Sequence, residues 1–231
     1  MKVKICGITS LDDALYAFDA GTDMLGYNFY PPSKRYLDPL DCEMIQVELS
    51  NRGLSIRTVA VFVNASFKTI ETILDDCGLD LAQLHGDESP KLLEMLGERA
   101  FKAIRPHSIE ESILQARSYL VRKTPPDLLV DAYHPDQYGG TGLTGDWMLA
   151  RALADDYSLL LAGGLHPGNV AAAVRQVNPW GVDVASGVER EGQPGKKDPL
   201  RMQQFINQTR AAALHAGEQK QEKIIQEGET R

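Results

Sequence analysis

Short runs of apolar, largely β-branched residues recur along the whole chain, and each is separated from the next by a stretch long enough for a helix. The runs are Val3–Ile8, Met24–Phe29, Thr58–Val63, Leu79–Leu84, Phe101–Ile104, Leu128–Val130, Leu159–Ala162 and Gly181–Ala185. A run that is apolar on both faces suits a strand covered on both sides, as in a parallel sheet, where each strand reaches the next through a crossover helix. The helix starts are well marked. Ser89-Pro90 and Asp198-Pro199 each set a capping side chain before a proline at the first helical position, while Ser10 with Asp13 and Ser108 with Glu111 have capping-box spacing. Leu92, Leu93 and Leu96 form one apolar stripe, and Val170, Val174 and Val177 another. Eight such alternations within 231 residues point to a single closed (β/α)8 barrel. An open doubly wound sheet shares the alternation, which by itself does not demonstrate closure. The barrel is expected over residues 1–210, with a polar tail over 211–231 that either extends the last helix or is disordered.

Charge and cysteine usage narrow the function classes. A net charge of −8 gives no basic footprint for nucleic acid, although backbone N–H groups can still build a local anion site. Cys6, Cys42 and Cys77 are widely spaced and odd in number, which fits neither a disulfide framework nor a zinc motif. A reducing, cytoplasmic compartment is the simplest expectation. The apolar stretch before Thr9-Ser10 is too short for a signal peptide, and no segment approaches the roughly 20 apolar residues that span a bilayer. No membrane association is expected, and no metal, since no His/Asp cluster has metal spacing. Monomer and homodimer both stay open.

In a barrel of this kind chemistry sits where strands end and βα loops begin. Strand 1 ends in Cys6-Gly7, strand 4 in Gln83-Leu84-His85-Gly86-Asp87, strand 6 in Asp131, strand 7 in Gly163-Gly164 and strand 8 in Asp183-Val184-Ala185-Ser186-Gly187. Cys6 is either a small buried hydrophobe or a base, the latter if the helix opening near Ser10 lowers its thiol pKa. Asp131 is either an anchor for the following loop or a general acid whose pKa partial burial raises. Gly142, Gly163, Gly164, Ser186 and Gly187 read as plain turns or as a phosphate cradle of the kind this fold builds after strands 7 and 8. Arg35 suits a carboxylate, or else a surface ion pair. For His85 three readings stand: a satisfied core histidine, a donor to substrate, or a catalyst.

Taken in order, several segments resemble one family, phosphoribosylanthranilate isomerase. They are Lys4-Ile5-Cys6-Gly7-Ile8-Thr9, Phe29-Tyr30-Pro31-Pro32-Ser33-Lys34-Arg35-Tyr36, Gln83-Leu84-His85-Gly86-Asp87-Glu88, Gly139-Gly140-Thr141-Gly142, Leu161-Ala162-Gly163-Gly164, Ser186-Gly187-Val188-Glu189 and Pro194-Gly195-Lys196-Lys197-Asp198. The resemblance covers nearly the whole chain and implies a TIM barrel of the phosphate-binding type. It implies a cofactor-independent Amadori rearrangement of N-(5-phosphoribosyl)anthranilate, a step of tryptophan biosynthesis. In the family's pattern the residue matched by Asp131 is the general acid and the one matched by Cys6 the general base. Arg35 is expected on the anthranilate carboxylate, the glycines with Ser186 on the phosphate, and Asp183 near the sugar hydroxyls, with His85 a further substrate contact. The chain departs from the common pattern in its longer loop after Asp131 and at Leu143, Gly145, His166, Gly168 and Ala185. Two rivals fit less well. A histidine-pathway aminoaldose isomerase would want aspartates at strands 1 and 5, where Cys6 and Arg105 stand, and indole-glycerol-phosphate synthase would want catalytic lysines, for which Lys102 is a candidate.

Overall fold

The computed structural model describes the backbone of residues 1–131 and 147–229, with side chains through residue 214. Its eight strands are β1 Lys2–Cys6, β2 Met24–Asn28, β3 Arg57–Phe62, β4 Leu81–Leu84, β5 Ala100–Ile104, β6 Leu128–Asp131, β7 Leu159–Ala162 and β8 Gly181–Val184. All pair in parallel, each with its sequence neighbour, and β8 returns to β1 through Lys2↔Gly181 to Ile5↔Val184. The barrel is closed, which settles the choice that alternation left open.

Among the described residues the crossovers carry α1 Leu11–Asp19, α2 Pro39–Asn51, α3 Phe67–Asp76, α4 Pro90–Leu96, α5 Ile109–Tyr119, α6 Trp147–Ala154 and α7 Val170–Val177, and α8 Pro199–Glu229 follows β8. The caps work as their spacing predicts. Ser10, Ser89 and Ser108 Oγ accept from Asp13, Leu92 and Glu111 N, and Asp198 Oδ1 accepts from Leu200 and Arg201 N. Neither box is reciprocal: the Glu111 carboxylate accepts from His107 N, one residue before the cap, and Asp13 Oδ2 accepts from Lys197 N.

The core divides into two layers. Between strands and helices lies a large apolar layer that includes Val170, Val174, Val177, Leu93 and Leu96. Inside the barrel a smaller cluster packs Met24, Val59, Leu81, Phe101, Leu129 and Leu160. The apolar runs outlast the strands at both ends. Strand 1 stops at Cys6 because Gly7 turns at φ +73°, and Gly7 N and Ile8 N both donate to Gly26 O. Leu79 packs in the helical layer, and Asp80 turns the chain into β4 by accepting from Thr58 N at 2.7 Å and its hydroxyl at 3.0 Å. No described helix is long and apolar enough to cross a membrane.

Candidate active site

A cavity of about 460 Å³ opens at the C-terminal ends of the strands. Cys6 from β1, Asp131 from β6 and Asp183 from β8 line it, with His85 just past β4 and Arg35 from the loop after β2. Gly163, Gly164 and Ser186 form another part of its wall. Side chains alternate across a strand, so chain positions far apart in sequence reach one mouth. Gly187 does not line the cavity. A Cβ there would collide with Leu165 O, so this glycine lets the loops after β7 and β8 touch. Gly142 lies outside the described residues, as does the loop after Asp131. Among the described residues no cluster of three or more His, Cys, Asp or Glu could hold a metal ion.

The floor beneath Cys6 is polar. Lys4, two residues before it on the same face of β1, is fully buried and donates from Nζ to Asp183 Oδ1 at 3.0 Å and Gln83 Oε1 at 2.9 Å. Burial opposes the Lys4 charge, but Asp183 and Cys6 outweigh it and raise its pKa. A second buried ammonium, Lys197, donates to Ala185 O at 3.0 Å and Glu189 Oε1 at 3.2 Å. The lowered Cys6 pKa expected from the α1 dipole is not found. Burial and the Asp183 carboxylate push the thiol up, and Lys4 and Lys197 only partly offset them. Desolvation at the barrel mouth outweighs a dipole that acts across the Gly7–Thr9 turn.

Arg35 is held more tightly than a lone carboxylate receptor would be. Its Nε and Nη2 donate to the two Glu189 oxygens at 2.6 and 2.9 Å, a bidentate pair, which leaves Nη1 as its third nitrogen. Lys197 shares the same glutamate, and burial lowers its pKa more than Glu189 raises it.

On the opposite wall His85 Nε2 lies 3.4 Å and Arg105 Nε 3.6 Å from the same oxygen, Asp131 Oδ2. Gln83 Nε2 lies 2.8 Å from His85 Nδ1. Lys102, the candidate synthase lysine, is consumed elsewhere: it pairs with Glu88 at 3.1 Å and donates to the carbonyls of Leu84, Gly86 and Ala103. It fastens the loop after β4 and does not line the cavity.

Sequence reading gave no site role of their own to Lys4, Gln83, Arg105, Glu189 and Lys197. A signal existed for two of them. Lys4 and Gln83 are polar residues inside otherwise apolar strand runs, which is the mark of an inward-facing functional position. Glu189 and Lys197 sit in loops and declare themselves only through partners far away in sequence.

The chain also matches known proteins over nearly its full length. The family model for N-(5'-phosphoribosyl)anthranilate (PRA) isomerase matches residues 3–208. Relatives of that name from Pelobacter propionicus and Citrifermentans bemidjiense are each 44% identical, over 89% and 92% of this chain and 94% and 98% of theirs. The crystal structure of phosphoribosyl anthranilate isomerase from Thermotoga maritima is 38% identical with a TM-score of 0.79, covering 91% of this chain and 99% of that one. A further isomerase structure, in complex with reduced 1-(o-carboxyphenylamino)-1-deoxyribulose 5-phosphate, is 34% identical with a TM-score of 0.76, covering 91% and 99%. The ordered strand-end residues, the closed barrel and these matches over nearly the full length converge: the chain belongs to the N-(5'-phosphoribosyl)anthranilate isomerase family and is a TIM-barrel enzyme of tryptophan biosynthesis.

Proposed function

We propose that the chain catalyses the Amadori rearrangement of N-(5-phosphoribosyl)anthranilate to 1-(2-carboxyphenylamino)-1-deoxyribulose 5-phosphate by general acid–base catalysis. The observation that carries this reading is that Cys6 and Asp131, from β1 and β6, line one cavity. An acid and a base on separate walls can address two sites of one short carbon frame.

Protonated Asp131 gives its proton to the furanose ring oxygen, the C1–O bond breaks, and the anilino nitrogen's lone pair forms the iminium. The negative charge left on Asp131 is received by His85 and Arg105, which already flank Oδ2. Donors aimed at charge that develops in the reaction lower its barrier. The Cys6 thiolate then removes the proton at C2, which the iminium has made acidic, and the enolamine tautomerises to the aminoketone. Oxidation at C2 balances reduction at C1, so the step needs no external redox partner. A thiol raised by burial is seldom ionised near neutral pH, but each thiolate is a correspondingly stronger base.

Substrate orientation follows from the walls. The phosphate lies against Gly163, Gly164 and Ser186, where glycine φ values of +96° and +63° bring backbone close to the ligand. The anthranilate carboxylate lies toward Arg35, and Asp183 takes the sugar hydroxyls. A relative that holds a reduced form of the product, with the same phosphate and carboxylate ends, supports this substrate class. A coupled assay with purified anthranilate phosphoribosyltransferase tests the proposal. The substrate's fluorescence should decay at a rate proportional to added protein, and persistence of that fluorescence would overturn it.

A further inference from the structure

We propose that Lys4 and Gln83 are positioning residues that fix His85 as its Nε2–H tautomer, so that this N–H holds Asp131. The inference rests on the acid role given to Asp131 above, but its first half can be read without substrate.

The argument runs through hydrogen-bond direction. A lysine ammonium has three donors and no acceptor. Lys4 is fully buried, and its Nζ lies 2.9 Å from Gln83 Oε1 and 3.0 Å from Asp183 Oδ1. Asp183 keeps Lys4 charged, so the atom of Gln83 that faces Lys4 must be the carbonyl oxygen. The other end of that amide is then its NH₂ group, which can only donate. It lies 2.8 Å from His85 Nδ1. That nitrogen must accept, so it carries a lone pair, and the ring proton of neutral His85 sits on Nε2. Nε2 faces Asp131 Oδ2 at 3.4 Å, the longest link in the chain. Hydrogen bonds at a catalytic group are often long without substrate and tighten when it arrives.

Gln83 cannot turn over cheaply. It is 1% exposed, and a flipped amide would set NH₂ against the ammonium and the carbonyl against the Nδ1 lone pair. With Nδ1 engaged as the acceptor, His85 donates from Nε2 toward Asp131. Arg105 reinforces the arrangement from the rim: its Nη2 donates to His85 O at 3.3 Å, and its Nε faces the same Asp131 oxygen. The lysine under the base thus also orients the acid on the far wall, through two intervening side chains.

The test reads tautomer and turnover separately. The chain has five histidines, so a two-bond ¹H–¹⁵N spectrum of ¹⁵N-histidine protein, assigned with His85→Gln, resolves the His85 ring. The expected spectrum shows Nδ1 without a proton and Nε2 with one. Gln83→Leu should mix the tautomers and lower kcat at least about tenfold while KM stays within about threefold. Gln83→Glu, which keeps the volume, should draw a proton onto Nδ1. A wild-type His85 carrying its proton on Nδ1, or a spectrum unchanged by either substitution, would overturn the proposal. A changed spectrum with unchanged kcat would overturn the link to Asp131. Absence of isomerase activity in the wild type, with the tautomer as expected, would instead count against the reaction assigned to the site.

Discussion

Arg35 and Glu189, 154 positions apart, face each other through two parallel hydrogen bonds of 2.6 and 2.9 Å, and the same carboxylate accepts from the buried Lys197 at 3.2 Å. The pair stiffens an arginine that leaves its loop beside Gly7, where a Cβ would stand 2.6 Å from Arg35 Cδ. Rigidity there comes at the cost of two donors that a substrate carboxylate would otherwise use.

Glu189→Gln should lower stability near pH 7 by about 2–4 kcal/mol, because it leaves a buried ammonium and a half-buried guanidinium short of their counter-charge. Burial pushes the Glu189 carboxyl up, but Arg35 and Lys197 outweigh it and hold it below the ordinary 4.5. A depressed carboxylate contributes stability above its unfolded pKa and loses it as pH falls through the folded value. The difference between wild type and variant should therefore shrink below about pH 4.5. Urea midpoints at neutral and acid pH check this; a gap of equal size at both would contradict the pairing.

Arg35→Ala should act mainly on KM, raising it with a smaller change in kcat, if the guanidinium binds substrate in ground and transition states alike. Steady-state kinetics decide. An unchanged KM would remove Arg35 from the carboxylate and leave it only the ion pair with Glu189.

Removal of either proton-transfer group should collapse turnover. Cys6→Ala and Asp131→Asn are each expected to lower kcat by about a thousandfold or more while affinity for a reduced product analogue stays within about tenfold. Single-turnover rates together with calorimetry separate the two effects, and near-normal turnover in either variant would strike that residue from the mechanism.

The Cys6 thiol should titrate above the ordinary 9.0, since burial and Asp183 raise it more than Lys4 and Lys197 lower it. Alkylation by iodoacetamide, followed on the Cys6 peptide by mass spectrometry, should accelerate with pH and reach its midpoint in the alkaline range. Lys197→Met should move the midpoint further up. The base must be ionised to act, so kcat/KM should climb with pH from neutrality on that limb. A midpoint at or below the ordinary 9.0 would contradict the burial argument.

The fold was legible because helix caps and two-faced apolar runs are local signals, and each of Ser10, Ser89, Ser108 and Asp198 announces a helix within four residues. Cys6 and Asp131 stood out as candidates because reactive side chains end apolar runs, and the fold brings both to one cavity. The pKa of Cys6 was not legible, since it depends on Lys4, Asp183 and Lys197, which the chain brings together from its two ends. His85 was left ambiguous for a similar reason. Its tautomer depends on an amide whose orientation is set by a lysine 79 positions from that glutamine.

The Lys4–Asp183 ion pair sits where the first strand meets the last, with 179 positions of chain between its partners. During synthesis the lysine emerges early and must wait for its counter-ion until seven further strands exist. An unfinished barrel would have to bury a bare ammonium or keep that strand wet, and either penalises premature closure. Arrival of the aspartate removes the penalty, so the pair favours closure of the full set of eight strands over closure of a partial one. The join of first strand to last is also the one that brings Cys6 beside the wall formed by Ala185 and Ser186, so a molecule that has not closed has no place for a substrate to be held.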